Sequence, residues 1–245
     1  MAKQRADQLL VARGLAESRA RAQALILAGV VRSGETRIDK AGQLLAVDAP
    51  LAVIRRDHPW VSRGGLKLAH GLAAFGFSAA GRVCLDIGAS TGGFTDVLLA
   101  NGAARVHAVD VGRGQLAWSL RNDPRVVVHE ATNARHLTAA VIGEEVDALV
   151  CDASFIGLAT VLPAPLSLCR AGAWAIALIK PQFEAGPGAV GKGGVVRDPA
   201  VNQAVCELIR SWWTALPGWT VMGLETSPIT GPEGNVEFLI GAVRR

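Results

Sequence analysis

From residue 64 to the end of the chain, short apolar runs alternate with stretches in which apolar residues recur at helical spacing. Apolar runs of this length, bounded by turn residues, are typical of buried strands. Seven such strands are predicted, at residues 82–87, 105–109, 125–128, 146–151, 172–179, 219–224 and 236–243. Strands that alternate with helices form a mostly parallel sheet with helices on both faces. The pattern therefore predicts a doubly wound α/β domain over this part of the chain.

The first 56 residues carry a different pattern. An amphipathic helix is predicted over residues 3–13, and Gly14 can end it with a left-handed cap. A second helix is predicted between Ser18, as its N-cap, and Gly29. Short strands are then predicted at residues 30–32, 43–47 and 51–55. Two helices and a small curled sheet make a compact α+β domain.

Charge is distributed unevenly between these two parts. We predict an N-terminal domain at residues 1–56, a linker at 57–63 and a second domain at 64–245. Residues 1–63 contain 11 Lys and Arg against 6 Asp and Glu, a net charge of +5, whereas the rest of the chain has a net charge of −1. A basic small domain beside a near-neutral larger one indicates that the first binds a polyanion, and nucleic acid is the leading candidate.

Composition excludes several classes of protein. Half of the 245 residues are apolar, which excludes a disordered or disulfide-stapled chain. The longest uncharged stretch, residues 153–169, contains two prolines and is shorter than the roughly 20 apolar residues of a membrane span. The N-terminus lacks the apolar run of a signal peptide. The four cysteines and five histidines show no metal-ligand spacing, so we expect buried thiols, a reducing cytoplasmic location and no metal site.

Residues 9–31, LLVARGLAESRARAQALILAGVV, resemble the alpha-L type RNA-binding domain of a ribosomal small-subunit protein, pseudouridine synthases and heat-shock RNA-binding proteins. The resemblance implies that Arg19 and Arg21 present their charges to structured RNA, and Arg63 in the linker is a further candidate for contact with RNA phosphate. The following VVRSGETRI lacks the Asn of the family's usual hairpin. The alternative is a solvated basic helix face without a ligand.

A glycine-rich turn follows the first strand of the second domain. Gly88 permits a tight turn, and Gly92 and Gly93 let the backbone approach a ligand without a Cβ in the way. The spacing G-x-x-x-G-G differs from the G-x-G-x-x-G of dinucleotide sites. Asp110 ends the next strand, 24 residues after Asp86, where a carboxylate can accept both ribose hydroxyls of a nucleoside. An adenosine without a pyrophosphate fits both observations.

The run DIGASTGGFT resembles motif I of class I methyltransferases, especially of the FtsJ-like group. The resemblance implies a Rossmann-like methyltransferase fold and S-adenosylmethionine as cofactor. The predicted cofactor-binding residues are then Asp86, Gly88, Ser90, Gly92, Gly93, Phe94, Asp110 and, for the adenine, Asn133. The alternatives are a merely tight turn at the glycines and an ordinary turn role for the asparagine.

Four polar residues lie where an apolar core pattern does not place them. Asp152 and Lys180 each follow a predicted strand, so both are expected at the carboxyl edge of the sheet, where open α/β folds bind ligands. Glu237 lies at the beginning of the last strand and shares that edge if this strand runs antiparallel. Lys67 lies on the helix before the first strand.

The phrases that carry these residues, VSRGGLKL, CDASFI, IKPQFE and NVEFLI, resemble the Lys-Asp-Lys-Glu tetrad of FtsJ-type ribose 2′-O-methyltransferases. With DIGASTGGFT and GKGGVVRD, they resemble the TlyA family, also called hemolysin A, over essentially the whole chain. The resemblance implies methyl transfer from S-adenosylmethionine to a ribose 2′-hydroxyl of ribosomal RNA, with that RNA or ribosomal subunits as partners. The sequence indicates no obligate protein partner.

A ribose 2′-hydroxyl is a poor nucleophile. A lysine amine that lies beside a second cation and is partly desolvated can orient the oxygen or accept its proton. Lys180 is our candidate for that role. We expect Asp152 to hold Lys180 and to favour the sulfonium side of the site, while Lys67 and Glu237 fix the geometry of the amine and the hydroxyl.

Several alternatives stay open at this point. Ser154 and Phe155 are candidates to contact cofactor or base, although a Phe after an apolar strand is more often part of the core. For the chain as a whole, two other functions compete with methyl transfer. One is a noncatalytic RNA-binding or ribosome-assembly factor. The other, suggested only by the family's historical name, is a membrane-active haemolysin.

Overall fold

The computed structural model describes residues 3–27, 29–53, 58–191, 193–231 and 233–245. The chain divides into two compact units, Met1–Pro59 and Trp60–Arg245. Residues 54–55 of the predicted strand 51–55, and residue 57 of the predicted linker, lie outside the described residues. The last four linker residues belong to the second unit, where the Val61 N–H donates to Asp96 Oδ2 at 2.8 Å.

The first unit packs two helices against short strands. Its elements are β1 (Lys3–Arg5), α1 (Ala6–Ala12), α2 (Arg19–Leu27), β2 (Val31–Ser33), β3 (Thr36–Arg37), β4 (Leu44–Ala46) and β5 (Leu51–Val53). Ser18 is the N-cap of α2, as predicted, because its Oγ accepts from the Arg21 N–H at 3.1 Å. The core contains Leu10, Ile26 and Ile38. Burial of these apolar side chains stabilises the unit.

The prediction of one helix over residues 3–13 and of one curled sheet was wrong in detail. Residues 3–5 form β1, which pairs antiparallel with β4, from Lys3 opposite Ala46 to Arg5 opposite Leu44. A separate three-stranded sheet has the order β3-β2-β5. The physical reason is pairing at a distance: β4 supplies the hydrogen-bond partners that hold residues 3–5 extended, and local spacing does not contain that information.

A buried carboxylate joins α1 to α2. The Asp7 side chain is fully buried and accepts from Arg5 Nε at 3.0 Å, Arg19 Nε at 2.9 Å and Gln23 Nε2 at 3.1 Å. The hydrogen bond from Arg5 is the largest of the effects that hold the pKa of Asp7 below its usual range. Arg19, a predicted RNA contact, is therefore tied at its Nε to Asp7, although 55% of its side chain stays exposed.

The second unit contains the predicted sheet. Its strands are β6 (Val83–Ile87), β7 (Arg105–Val109), β8 (Val126–His129), β9 (Val146–Cys151), β10 (Cys169–Ile179), β11 (Trp219–Thr226) and β12 (Phe238–Arg244). They form one seven-stranded sheet in the order β11-β12-β10-β9-β6-β7-β8. The ladders between β10 and β8 are parallel, whereas β12 runs antiparallel to both neighbours. The predicted α/β fold is confirmed, and the last strand runs antiparallel, which is the condition under which Glu237 shares the edge of Asp152 and Lys180.

Helices and short 3₁₀ turns connect these strands. The helices are α3 (Gly64–Phe75), α4 (Gly93–Ala100), α5 (Trp118–Arg121), α6 (Ala139–Ile142), α7 (Leu158–Val161), α8 (Pro163–Ser167), α9 (Pro181–Glu184) and α10 (Pro199–Thr214). The central strands are buried on both faces, and all six residues of β9 are buried. Cys84, Cys151, Cys169 and Cys206 are free and buried, as predicted. Burial raises the pKa of the Cys151 thiol to about 12, which makes that thiol unreactive.

We predict that the Asp7 carboxylate stabilises the packing of α1 on α2. Replacing Asp7 by Asn removes charge-assisted hydrogen bonds, so the free energy of local unfolding should fall by about 2 kcal/mol at neutral pH. Because the native pKa of Asp7 is depressed, wild type holds this contribution above the unfolded pKa of roughly 4 and loses it as pH falls through the native value. Amide hydrogen exchange of α1 and α2 between pH 7 and pH 3 measures the difference.

The Asp39→Asn variant is the matched control. Asp39 pairs with Arg37 on the surface, with about 60% of both side chains exposed, so its loss should change protection little. Equal protection in the Asp7→Asn variant and in wild type at neutral pH would contradict the prediction.

Candidate active site

The predicted site residues of the second unit converge on one edge of the sheet. Parallel strands that lie side by side end at the same edge, and here the loops after β6, β7, β9 and β10 meet. Two adjoining cavities lie at this edge. We call the one that contains Lys67 and Lys180 the tetrad cavity, and the one that contains Asp110 the Asp110 cavity.

The four predicted catalytic residues line the tetrad cavity, whose volume is about 450 Å³. Lys67 Nζ lies 2.5 Å from Glu237 Oε2 and 3.9 Å from Asp152 Oδ2. Lys180 Nζ lies 2.6 Å from Asp152 Oδ1. The charges therefore alternate in the order Glu237, Lys67, Asp152, Lys180. We call this ion-paired set the tetrad.

Each member of the tetrad is placed by an end of a regular element. Lys67 lies in the first turn of α3, Asp152 directly follows β9, and Lys180 directly follows β10 as the N-cap of α9. Glu237 directly precedes β12, which begins at Phe238 rather than at residue 236 as predicted. The side chains of both lysines are 8% exposed, that of Glu237 1% and that of Asp152 21%. Asp152 is thus the most accessible member of the set.

Ser154 completes the surroundings of the Lys180 amine. Lys180 Nζ donates to Ser154 Oγ at 2.8 Å and to the Asp152 carbonyl oxygen at 3.2 Å. Sequence reasoning named Ser154 only as a contact for cofactor or base. Because the hydroxyl and two Asp152 oxygens surround the amine, its position in the cavity is fixed.

The Asp110 cavity adjoins the tetrad and has a volume of about 570 Å³. Asp110 Oδ2 accepts from the Ser90 N–H at 2.8 Å, and Oδ1 accepts from the Gly112 N–H at 2.7 Å. Asn133 also lines this cavity, with its Oδ1 accepting from the Arg135 N–H at 3.1 Å. Gly88, Ser90, Asp152 and Ser154 line both cavities. A ligand bound beside Asp110 would therefore lie next to the tetrad.

The turn after β6 requires its glycines for different reasons. Gly88 has φ +78°, and a Cβ there would lie 2.9 Å from Ala153 Cα, so only glycine fits between the two loops. Gly92 has φ +95°, and a Cβ there would lie 2.3 Å from the Leu120 side chain. Gly92 packs against the Leu120 side chain and lines neither cavity, so its role as a cofactor contact stays a prediction.

Asp86 also lines neither cavity, and its assignment as a cofactor-binding residue stays a prediction. Its side chain is fully buried, and Oδ2 accepts from Thr95 Oγ1 at 2.7 Å. The other carboxylate oxygen has no hydrogen-bond partner among the described residues. Burial raises the pKa of Asp86 to about 7. The hydrogen bond between Asp86 and Thr95 connects β6 to α4. Asp86 therefore supports the glycine-rich turn from inside the protein. Gly93 and Phe94 line the tetrad cavity instead of the Asp110 cavity.

Three exposed side chains lie near the cavities. Arg63, a predicted RNA contact, is exposed and lines the tetrad cavity. Phe155 is 89% exposed, has φ +65° and lies 5.1 Å from Phe183 between ring centroids. Its predicted alternative as a core residue is therefore wrong. Arg135, which sequence reasoning missed, lines the Asp110 cavity. Its position two residues after Asn133, in the loop that follows the third strand of the sheet, could have identified it as a candidate.

Comparisons with known proteins identify both units. Residues 60–244 match the model of the FtsJ-like methyltransferases, and residues 4–49 match the S4 domain. The chain is 52% identical, over 96% of its length and 88% of the relative's, to the 16S/23S rRNA (cytidine-2′-O)-methyltransferase TlyA of Mycobacterium tuberculosis. It is 38% identical to Hemolysin A of Brachyspira hyodysenteriae, over 96% of this chain and 98% of that protein. The chain belongs to the TlyA/hemolysin A family.

The structural comparison agrees with this family. A solved structure of a hemolysin-family protein from Streptococcus thermophilus covers 100% of this chain and 89% of its own, with 40% identity and a TM-score of 0.74. As a member of the TlyA/hemolysin A family, the chain is an enzyme, an FtsJ-like methyltransferase with an S4 domain. Within the residues that the structure describes, no helix has the length and apolarity of a membrane span. Among the same residues, no cluster of three or more His, Cys, Asp or Glu side chains is arranged for a metal ion.

Proposed function

We propose that this chain transfers a methyl group from S-adenosylmethionine to a ribose 2′-hydroxyl of ribosomal RNA. The observation that carries the proposal is the tetrad, two amines and two carboxylates ion-paired at the edge of the Asp110 cavity. The activity named for the relative from Mycobacterium tuberculosis, cytidine-2′-O methylation of 16S and 23S rRNA, supports it.

The Asp110 cavity fits a nucleoside cofactor. Its carboxylate lies on the cavity wall, where its free lone pairs can accept ribose hydroxyls, and the turn at Gly88 leaves no Cβ in the approach. Asn133 and Arg135 lie in the neighbouring loop after β8, where the Thr132 N–H donates to the Asp110 carbonyl at 2.9 Å, and they would meet the base. S-adenosylmethionine, when bound, supplies a methyl group that its sulfonium already activates. Positioning of the acceptor hydroxyl by the protein then provides much of the rate.

Lys180 would hold the acceptor hydroxyl. Once its ammonium has released a proton to solvent, the neutral amine would take up the hydroxyl proton as the oxygen gains the methyl group. The amine is nearly buried, and its position is fixed by Asp152 and Ser154. Asp152 contacts both lysines, so it orients Lys180 while Lys67 balances its charge. Glu237 in turn fixes Lys67. In the resting state all four groups are ionised and the set carries no net charge, and the attraction between neighbouring ions offsets the cost of removing each one from water.

The N-terminal unit would hold the RNA. We propose that residues 1–56 form the RNA-binding domain and residues 64–245 the catalytic domain. Support comes from the S4 match and from the net charge of +5 over residues 1–63. Arg21 is exposed on α2, and Arg63 lies at the rim of the tetrad cavity. The exposed ring of Phe155 is available for stacking with a nucleotide base. A cytoplasmic location is part of the proposal and is supported by the four free thiols.

Asp110 should bind the cofactor. We predict that Asp110→Ala weakens S-adenosylmethionine binding by about 1.5 to 3 kcal/mol, roughly 10- to 150-fold, because hydrogen bonds to a charged group are lost. Titration calorimetry measures the affinity. Asp123→Ala removes a carboxylate that pairs with Arg125 instead and serves as the control. An unchanged cofactor affinity in the Asp110→Ala protein would remove this residue from the site.

Substitutions of Lys180 should slow catalysis strongly without abolishing ligand binding. Lys180→Ala should lower the single-turnover rate of methyl transfer by roughly 10²- to 10⁴-fold, because the group that orients and deprotonates the hydroxyl is gone. Lys180→Arg should fail nearly as badly, since a guanidinium stays protonated. Both variants should still bind cofactor and rRNA. A Lys180→Ala protein that methylates at the wild-type rate would refute the tetrad mechanism, and a wild type that methylates no rRNA would favour a noncatalytic binding factor.

Arg21 should contribute to RNA affinity through a phosphate contact. Arg21→Glu should weaken rRNA binding and reduce the slope of log affinity against log salt by about 1. Arg37→Glu makes the same charge change on β3 and is the matched control, because it leaves the exposed face of α2 unaltered. Filter binding at several salt concentrations gives both slopes. Equal losses in the two variants would show that the unit attracts RNA by its overall charge and not by α2.

A further inference from the structure

The 191–198 segment, GKGGVVRD, is distinctive in the sequence, but none of its described residues belongs to the tetrad or lines the Asp110 cavity. Its described residues form a turn in which the Gly191 N–H donates to the Val195 carbonyl at 3.0 Å and the Gly194 N–H to the Gly191 carbonyl at 3.1 Å. Asp198 then caps α10. The described residues of this turn contribute no side chain to the tetrad cavity, so any role they have lies in the parts of the chain that they hold in place.

Asn235 connects that turn to the residues just before β12, which include Glu237. Its side chain is 1% exposed. Oδ1 accepts from the Val196 N–H at 2.9 Å, and Nδ2 donates to the Gly194 carbonyl at 2.9 Å. Both ends of the carboxamide therefore bind main chain, across 39 and 41 residues of sequence. The cross-link lies two residues before Glu237.

The chain around Glu237 needs such a support. The ladder between β10 and β12 begins at Phe238, so it does not fix the residue before it. Glu237 instead accepts from the Ser227 N–H through its carbonyl, and the Gly231 N–H donates to the Asn235 carbonyl at 2.9 Å. A Cβ on Gly231 would lie 2.8 Å from Glu237 Oε1, so this glycine covers the carboxylate closely. Ile229 and Thr230 continue the same loop along the wall of the tetrad cavity.

We propose that Asn235 is a positioning residue, which holds Glu237 against Lys67 by tying the 191–198 segment to the start of β12. This inference rests on the proposed methyl transfer. Asn235 touches no reacting group and acts through Glu237. Loss of the cross-link would free the loop that carries Glu237, shift the Lys67 amine and misplace the acceptor hydroxyl. A displacement of about 1 Å costs on the order of 10²-fold in rate.

The first test compares Asn235→Ala and Asn235→Asp with wild type in single-turnover methyl transfer to rRNA. Asn235→Ala should be 10- to 10²-fold slower, while its affinity for S-adenosylmethionine should stay within about twofold because the Asp110 cavity is unchanged. Asn235→Asp keeps the acceptor for Val196 but places a carboxylate against the Gly194 carbonyl. On acidification the new carboxyl gains a proton and can donate, so the rate relative to wild type should rise as pH falls.

The second test adds a methyl group beside the Glu237 carboxylate and leaves the hydrogen bonds of Asn235 in place. Gly231→Ala should push the Glu237 carboxylate away from its place and lower the single-turnover rate, again with unchanged cofactor affinity. Gly188→Ala is the matched control, because a Cβ there meets nothing within 4 Å. Thermal melting of each variant identifies any loss of folding, and the isosteric Asn235→Asp and the Gly231→Ala variants keep the test decisive if Asn235→Ala does not fold.

The outcomes separate the inference from the proposed function. A wild type that transfers no methyl group to rRNA overturns the function and the positioning role with it. An active wild type, together with a folded Asn235→Ala or Gly231→Ala protein of wild-type rate, overturns the positioning role alone. A slower rate in both, with cofactor affinity retained and a pH-dependent recovery in Asn235→Asp, supports it.

Discussion

The second unit depends on the pairing of four charges that are largely removed from water. An isolated buried lysine or carboxylate is costly, and breaking a buried pair costs about 3–5 kcal/mol. Here Asp152 shares its two oxygens between Lys67 and Lys180, and Glu237 balances Lys67. Because each ion is compensated by a neighbour from a different element, the fold has to bring three strand ends and one helix to the same point.

The sheet topology supplies most of that convergence. β9 and β10 are parallel and adjacent, with Ala177 opposite Cys151, so the residues that follow them share one edge. β12 is antiparallel to β10, which places its beginning at this edge too. Lys67 arrives differently, on α3. A Cβ on Gly71 of that helix would lie 3.4 Å from the Ile176 side chain of β10, so α3 packs directly on the sheet at this point.

The sequence predicted the structure well where local periodicity or the direction of a strand determines the position of a residue. Apolar runs predicted the strands. The polar residues that flank those runs predicted that Asp152, Lys180 and, with the last strand antiparallel, Glu237 lie at one edge of the sheet. Prediction from the sequence failed where a distant partner decides. Residues 3–5 are extended because of β4, Asp86 turns inward to Thr95, and Asn235 binds Gly194 and Val196 across some 40 residues. Side-chain bonds to remote main chain leave no local pattern, although an Asn beside a suspected catalytic Glu is a position to inspect.

Two residues with unfavourable backbone conformations lie at the same edge of the sheet as the tetrad. Ser90, at φ +48°, and Phe155, at φ +65°, occupy backbone regions that cost about 1–3 kcal/mol for ordinary residues. Asp86 adds a buried carboxylate oxygen without a partner among the described residues. These costs persist because the sheet beneath is well buried, so its packing offsets them. Strained residues at one edge of an otherwise regular sheet indicate a functional site at that edge. Phe155 is an example. Its aromatic ring stays exposed on the wall of the Asp110 cavity, where burial alone would have drawn that ring into the core.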